Sequence, residues 1–497
     1  MTSQRKKIII IGAGPGGLSA AMLLAHAGQN VTVYEKQPVL GGRNAPIANN
    51  GYTFDTGPTF FLMKDVLEEI FAATGRDLSR EVELMEIDPM YQLSWADGQT
   101  FWPWRDPEKM RPEMERVFPG SSSHLERYLK KEQKKYATLV PCLKIPYSRW
   151  HHLLRPRLLK ALPRLDLHRS LYGRISKFFR EERLRLSFTF QAKYIGMSPW
   201  KAPGLYSIIS YIEHGAGIWH VRGGLWKLSD AMARAAREDG AVIHTSTPVK
   251  RLLVENGRAI GVELEDGRRE LADEVIINAD FAQAMTHLVD EKARKKYSDA
   301  RLAKKAYSCS TFMLYLGLDT LYTHTGHHNI YFSSDYRNNV AEISETHQLS
   351  LDPSFYVQNP SLADASMAPA GHSALYVLVP ITNLKAKIDW EQTKAQYRER
   401  ILDLLEKRAG FADIRSHIRF EHMITPADWE EQHDVYLGAT FNLGHNLGQM
   451  LIFRPHNEFE CVKHCWLVGG GTHPGSGLPT IYESGRITAS LIMKGLR

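Results

Sequence analysis

Four consecutive isoleucines, Ile8 to Ile11, run straight into Gly12-Ala13-Gly14-Pro15-Gly16-Gly17, and this junction restricts the fold more than any other stretch of the chain. An unbroken apolar run of this kind reads as a strand of a parallel sheet covered on both faces. Leu18 to Ala27 has helical spacing, Gly28 is a helix stop, Val31 to Tyr34 reads as a second strand, and Glu35 ends it. In this setting Gly12-x-Gly14-x-x-Gly17 is a dinucleotide fingerprint. Gly12 permits the tight turn out of the strand. Gly14 removes a side chain where a pyrophosphate approaches the backbone, and Gly17 lets helix and strand pack closely. The free N–H groups and positive end of the helix then face the phosphates. Glu35 lies 18 residues after Gly17, where its carboxylate can accept both ribose hydroxyls. The unit does not by itself separate NAD from FAD.

Further glycine turns extend the same site. Gly41-Gly42-Arg43 lets backbone pass close to a ligand, and Arg43 can pair with phosphate or flavin oxygens. Phe54-Asp55-Thr56-Gly57-Pro58 is a second tight turn. Near the far end, the apolar Trp466-Leu467-Val468 runs into Gly469-Gly470-Gly471-Thr472-His473-Pro474-Gly475-Ser476-Gly477-Leu478-Pro479, followed by a helix from about Tyr482. Backbone short of side chains at a helix start suits a flat, electron-accepting ring.

Between these motifs the pattern divides. Residues 110–190 read as helix broken by Pro141, Pro146, Pro156 and Pro163. A helix is expected over 226–237 and strands over 241–244, 249–254, 260–264 and 274–277, then strands over 310–318 and 374–380 and a helix over 391–408. A chain of 497 residues needs two or three structural units, yet no linker separates them, so the chain is expected to enter and leave its domains more than once. Four cysteines do not make a disulfide scaffold and fit a reducing cytosol. Cys461 and Cys465 lack the further ligands a metal needs, and no metal site is expected. The apolar run at 8–11 is too short for a signal core, and no stretch approaches a bilayer span.

The opening fingerprint, Gly41-Gly42-Arg43, Phe54 to Thr59, Val221-Arg222-Gly223-Gly224-Leu225-Trp226 and Gly471-Thr472-His473-Pro474-Gly475 together resemble the landmarks of the bacterial-type carotenoid (phytoene) desaturases, essentially end to end. Tyr307-Ser308-Cys309-Ser310 and Phe355-Tyr356-Val357 resemble the C30 branch, which acts on 4,4'-diapophytoene (dehydrosqualene), and Tyr194 to Trp200 resembles versions from methane-oxidising bacteria. The resemblance implies an α/β fold: a Rossmann-like FAD-binding domain of the flavin amine oxidase type with an inserted substrate domain of mixed sheet and helices. The expected FAD-binding domain takes 1–85, 220–300 and 440–497, and the substrate domain 86–219 and 301–439. Implied cofactor contacts are Gly12, Gly14, Gly17, Glu35, Gly42, Arg43, Gly57, Pro58, Val249, Gly470, Gly471, Gly477 and Leu478. Implied too is desaturation by successive hydride transfer to flavin, with oxygen or quinone as the final electron acceptor. A terminal oxygenase of diapocarotenoids shares the fingerprint, but its last loop usually reads Asn-Pro-Gly where this chain has His473-Pro474-Gly475. A C40 phytoene desaturase and, outside enzymes, an isoprenoid-binding protein are the other rivals.

Desaturating an unactivated chain removes a hydride and a proton from adjacent carbons, and Glu213 and His473 are the candidate catalytic groups for the charge or the proton. The net charge of +7 is mild, but it is concentrated. From Arg149 to Arg185 there are eleven Lys or Arg and three acids, a local +8 interleaved with Trp150, Leu154, Leu158, Leu162 and Leu165. Such a stretch, the basic and helical part of 110–190, suits an anionic membrane surface, and no nucleic-acid motif accompanies it. It is expected to frame a lipid-facing opening for a lipophilic polyene in an enzyme held peripherally on the inner, cytoplasmic face of the cell membrane.

Overall fold

In the computed structural model, which describes residues 5–495, the isoleucine strand Lys7–Ile11 is the middle of a five-stranded parallel sheet. Glu274–Ile277 pairs with it on one side and Asn30–Tyr34 on the other, while Cys465–Leu467 and Val242–His244 form the edges. The isoleucines divide between two cores as strand alternation requires. Ile8 and Ile10 pack with the helices Pro15–His26, Trp226–Glu238 and Leu478–Lys494. Ile9 and Ile11 pack with a three-stranded antiparallel sheet, Val249–Glu255, Arg258–Leu264 and Arg269–Leu271, and with the helix Phe281–Leu288. Covering both faces removes each isoleucine from water, a gain of roughly 1.5–3 kcal/mol per side chain.

A second, seven-stranded mixed sheet has the order Ile418–Ile424, Ser310–Leu318, Ser373–Ile381, Phe355–Gln358, His328–Tyr331, Gln92–Ser94, Thr100–Phe101. Ser310–Leu318 is buried at every position because it is paired along both edges and covered on both faces. Leu314, Leu316 and Val377 pack under the helix Trp390–Lys407, through Tyr397, Ile401 and Leu405. The opposite face, with Met313, Tyr315 and Tyr376, packs on Tyr52 and Phe54 of the strand Tyr52–Asp55 and on Trp429.

The expected cuts at 85/86 and 219/220 fall inside Leu84–Ile87 and Ile218–Val221, which pair antiparallel with each other. The chain thus leaves the first sheet and returns to it on one two-stranded ribbon. The stretch 110–190 is helical in pieces, but two prolines act differently from the expectation. Pro141 lies within the long helix Ser122–Leu143, near its end, and Pro156 begins the helix Pro156–Ala161. At a first helical position the missing proline N–H has no intrahelical partner to lose, so proline starts a helix there.

Candidate functional site

A cavity of about 820 Å³ lies between the two sheets and takes its walls from both. One end is built at the glycine junction. Gly12 has φ of +93°, and a Cβ there would lie 2.3 Å from the Asn278 carbonyl oxygen. A Cβ on Gly17 would lie 2.4 Å from the Gly12 carbonyl. The helix Pro15–His26 begins at Gly14 with no side-chain cap, and so does Leu478–Lys494 at Gly477. Gly14, Pro15, Gly477 and Leu478 all line the cavity. Two helix N-termini, their N–H groups untouched by a capping side chain, therefore flank one space, an arrangement fit for a pyrophosphate.

Glu35 lines the same space, and its carboxylate is oriented by backbone: Ala13 N–H donates to Oε2 at 2.8 Å and Gln37 N–H to Oε1 at 2.9 Å. Lone pairs remain for two ribose hydroxyls. Beyond it Pro248, Val249 and Lys250 form the outer end. Toward the interior lie Gly42 and Arg43, whose Nη1 donates to the Thr440 carbonyl. Burial lowers the Arg43 pKa while Asp280 opposes it; burial pushes Asp280 up to about 6 against the pull of Arg43. A Cβ on Gly57 would lie 2.6 Å from the Arg43 carbonyl, so these two turns are packed backbone to backbone. The second sheet fastens them, since Tyr315 and Tyr376 donate to the Thr56 and Gly57 carbonyls at 2.5 and 2.6 Å.

Past Gly57, Pro58 and Thr59 the wall becomes aromatic: Phe60, Tyr194, Tyr356, Tyr376, Phe190 and Phe332, with Met313 and Leu378 from the sheet. Phe60 lies 5.1 Å from the Tyr194 ring and 5.5 Å from that of Tyr356. Lys193 also lines this lobe, and burial lowers its pKa.

Eleven expected cofactor residues line the cavity: Gly12, Gly14, Glu35, Gly42, Arg43, Gly57, Pro58, Val249, Gly470, Gly477 and Leu478. Gly17 and Gly471 lie behind the wall, where a larger residue would collide; a Cβ on Gly471 would sit 2.5 Å from Phe281 Cβ and from Asn442 Oδ1. The candidate catalytic residues do not reach the cavity. His473 is buried with Nε2 2.9 Å from the Ile145 carbonyl, and burial lowers its pKa to about 3. Because Arg454 and Asn457 hold the loop around it, this ring packs the loop rather than facing a ligand. Glu213 is fully buried one layer behind Tyr194. Gln191 Nε2 donates to its Oε2 at 2.8 Å and the Tyr91 hydroxyl at 3.1 Å, and Oε1 has no partner among the described residues. Burial raises its pKa to about 7, partly offset by Gln191, Tyr194 and Tyr91.

Nor does any residue of 149–185 line the cavity, so this stretch does not frame it. Leu158 and Leu165 are buried in the first core while Leu154 and Leu162 face outward, because the stretch breaks at Pro156 and Pro163 into three short pieces, Trp150–Leu154, Pro156–Ala161 and Leu162–Arg164. Part of its charge is spent internally. Arg174 and Lys135 bind Glu132 and Asp166 at 2.9–3.2 Å in a closed cluster.

Sequence reasoning missed Asn278, Asp280 and Arg454. Asn278 Nδ2 donates to the Gly12 carbonyl at 2.9 Å, and its place directly after the strand Glu274–Ile277 was the available signal. Arg454, fully buried, donates to the carbonyls of Thr472, Gln449 and Gly470 and anchors the C-terminal glycine loop. No local pattern marks it.

Fold and site together define an FAD-binding oxidoreductase: a dinucleotide cradle on a parallel sheet, opening into an aromatic chamber on a second sheet. Solved structures share the fold: an oxidoreductase from Methanosarcina mazei (TM-score 0.63, 18% identity, 98% of this chain and 100% of the other) and a putrescine oxidase variant (TM-score 0.63, 15% identity, 99% of each chain). Residues 15–493 match the family described as flavin containing amine oxidoreductase. A 4,4'-diapophytoene desaturase (4,4'-diapolycopene-forming) of a Methylomonas species is 50% identical over 98% of this chain and 95% of its own length. The chain belongs to the flavin-containing amine oxidoreductase family and, within it, to the carotenoid desaturases.

Proposed function

We propose that this protein is an FAD-dependent desaturase of a C30 carotenoid precursor, converting 4,4'-diapophytoene to conjugated diapocarotenoids in successive steps. The observation that carries this reading is one continuous cavity whose cradle end fits FAD and whose other end is aromatic and apolar. Gly14, Gly477 and Glu35 would hold the pyrophosphate and ribose, and Arg43 and Gly57 the flavin side. Bound FAD supplies the two-electron acceptor for a hydride leaving one carbon of the polyene. The chain's own residues do the rest. Phe60, Tyr194, Tyr356 and Tyr376 exclude water and present ring faces, which favour positive charge developing at an allylic carbon. Glu213 acts from behind Tyr194 as a positioning residue, its carboxyl near neutrality in a dry wall.

Co-expression with a dehydrosqualene synthase tests the reading. Coloured C30 polyenes are expected; aldehydes or acids would instead favour terminal oxygenation, and a purified protein without flavin absorption would overturn both.

The polyene lives in lipid, and we place the protein peripherally on the inner face of the cell membrane. Among the described residues no helix is long and apolar enough to cross a bilayer. Support for surface contact comes from Trp150 and Leu154, 72% and 58% exposed, with Leu159 and Leu162 beside Arg149, Arg157, Lys160 and Arg164, all exposed. Basic residues near an anionic surface contribute about 1 kcal/mol each. Co-sedimentation with anionic but not zwitterionic liposomes is expected. Unchanged binding after neutralising these four basic residues would refute the assignment. The final acceptor, oxygen or quinone, is separable by stopped-flow reoxidation with each.

A further inference from the structure

Three buried histidines stand directly behind the aromatic lobe. His328 Nδ1 is 2.7 Å from the Tyr356 hydroxyl, and that hydroxyl is 2.8 Å from Thr59 Oγ1. Tyr356 and Thr59 both line the cavity, and Thr59 directly follows the Gly57-Pro58 turn, so the Tyr356 hydroxyl stands where the cofactor cradle meets the aromatic chamber. The His328 ring packs edge to face on His327 with centroids 4.4 Å apart, and His327 on His220 at 4.9 Å. His220 Nε2 lies 2.9 Å from Asp364 Oδ2. Asp364 Oδ1 lies 3.9 Å from Nη1 of Arg222, a half-exposed side chain at the surface.

His327 Nε2 accepts from Gln358 Nε2 at 3.1 Å, so its own proton sits on Nδ1 and this ring can donate but not pass a proton through. Three other ring nitrogens are orphaned. His328 Nε2, His327 Nδ1 and His220 Nδ1 have no hydrogen-bond partner among the described residues. Buried polar atoms are almost always satisfied, and several adjacent orphans mark a place for ordered water. Burial lowers the pKa values of both His328 and His327, so both rings are neutral at physiological pH. A neutral imidazole has one donor and one acceptor nitrogen and can take a proton on one while releasing another from the other. The other charged or titratable groups beside the cluster are Asp364, bonded to His220, Asp55, which feels the His220 charge, and Arg222 beyond Asp364. Asp55 is itself pushed up to about 6 by burial, against the pull of His220.

We propose that Tyr356, His328 and His220 form a proton exit from the cavity to Asp364 and solvent, with the His327 Nδ1–H steadying the water between the two rings and Tyr356 receiving the proton that the substrate loses. The inference rests on the desaturase reading. When a hydride leaves one carbon with its electron pair for the bound FAD, the adjacent C–H bond breaks and its pair becomes the new π bond. That proton goes to the Tyr356 oxygen as the hydroxyl proton passes to His328 Nδ1 and the Nε2 proton moves outward. One proton reaches solvent for each double bond formed. Thr59, donating to the Tyr356 oxygen, aims the hydroxyl at His328.

The test uses the FAD-loaded enzyme on liposomes containing 4,4'-diapophytoene, following anaerobic bleaching of the flavin in a single turnover. Tyr356→Phe and His328→Gln are each expected to slow bleaching about 100-fold with unchanged FAD content. The solvent deuterium effect of the wild type should vanish in Tyr356→Phe. Added imidazole should restore rate to His328→Ala, which a merely structural role would not allow. His220→Asn, remote from the cavity, is expected to slow bleaching while FAD binding is unaffected, and it reads the path even if the His328 variants fail to fold. Wild-type bleaching with coloured product but rates within twofold in Tyr356→Phe and His220→Asn would overturn the relay. Absence of wild-type product would instead overturn the desaturase reading.

Discussion

Replacing Glu213 by glutamine should make the protein more resistant to heat at alkaline pH than at acid pH, relative to the parent. Burial raises the Glu213 pKa from 4.5 to about 7. The folded state thus binds a proton that the unfolded state has released between these values, and the parent loses stability as pH rises from about 4.5 to about 7. The shift corresponds to about 3 kcal/mol at 1.36 kcal/mol per pKa unit. Glutamine fills the same space without titrating, so the variant escapes this loss. For a chain of 497 residues the unfolding entropy makes about 1 kcal/mol equal to about 1 °C in Tm. The difference in Tm, variant minus parent, should therefore be about 3 °C more positive at pH 8 than at pH 4.5. Release of flavin fluorescence on heating the FAD-loaded proteins measures it at matched ionic strength. A difference that does not change with pH, or that falls as pH rises, would show that Glu213 is not a buried, reluctantly ionised carboxyl.

Three further outcomes follow from the cradle and the surface. Glu35→Gln turns an amide N–H toward the Ala13 or Gln37 N–H and removes a charged acceptor from the ribose, so FAD should bind about 100-fold more weakly by fluorescence titration. Gly12→Ala puts a Cβ 2.3 Å from rigid backbone and should yield no flavin-loaded protein, whereas Gly28→Ala, also at positive φ but with nothing within 4 Å, should lose only about 1–2 kcal/mol in denaturant titration. Trp150→Ser with Leu154→Ser should weaken co-sedimentation with anionic liposomes at least tenfold and leave Tm unchanged, since both side chains are exposed.

The cradle was legible because its signals are local. A run of isoleucines sets a buried strand, positive φ demands glycine at 12, and a carboxylate follows at a fixed interval. The strand at 274–277 and the helix from 226 were equally plain from periodicity. What stayed hidden depends on distant segments meeting. Arg454 reads as a surface arginine until the loops at 443–449 and 470–472 wrap their carbonyls around it. His327 and His328 look like polar turn residues until the strand at 355–358 brings Tyr356 against one of them. The leucine repeat over 154–165 was real, but Pro156 and Pro163 cut it into short pieces and sent half of it outward. Glu213 was singled out as a candidate acid, yet its full burial and its retreat behind Tyr194 are tertiary facts.

The five-stranded sheet also sets a schedule. Lys7–Ile11 emerges from the ribosome about 260 residues ahead of its partner Glu274–Ile277, and the edge Cys465–Leu467 follows about 190 residues later still. At about 5–20 residues per second, the isoleucine strand waits roughly a quarter of a minute to a minute with one side unpaired. The second uncapped helix start, at Gly477, is made later still. Flavin therefore finds no complete seat until the turns at Gly12 and Gly477, far apart in the chain, have both been made.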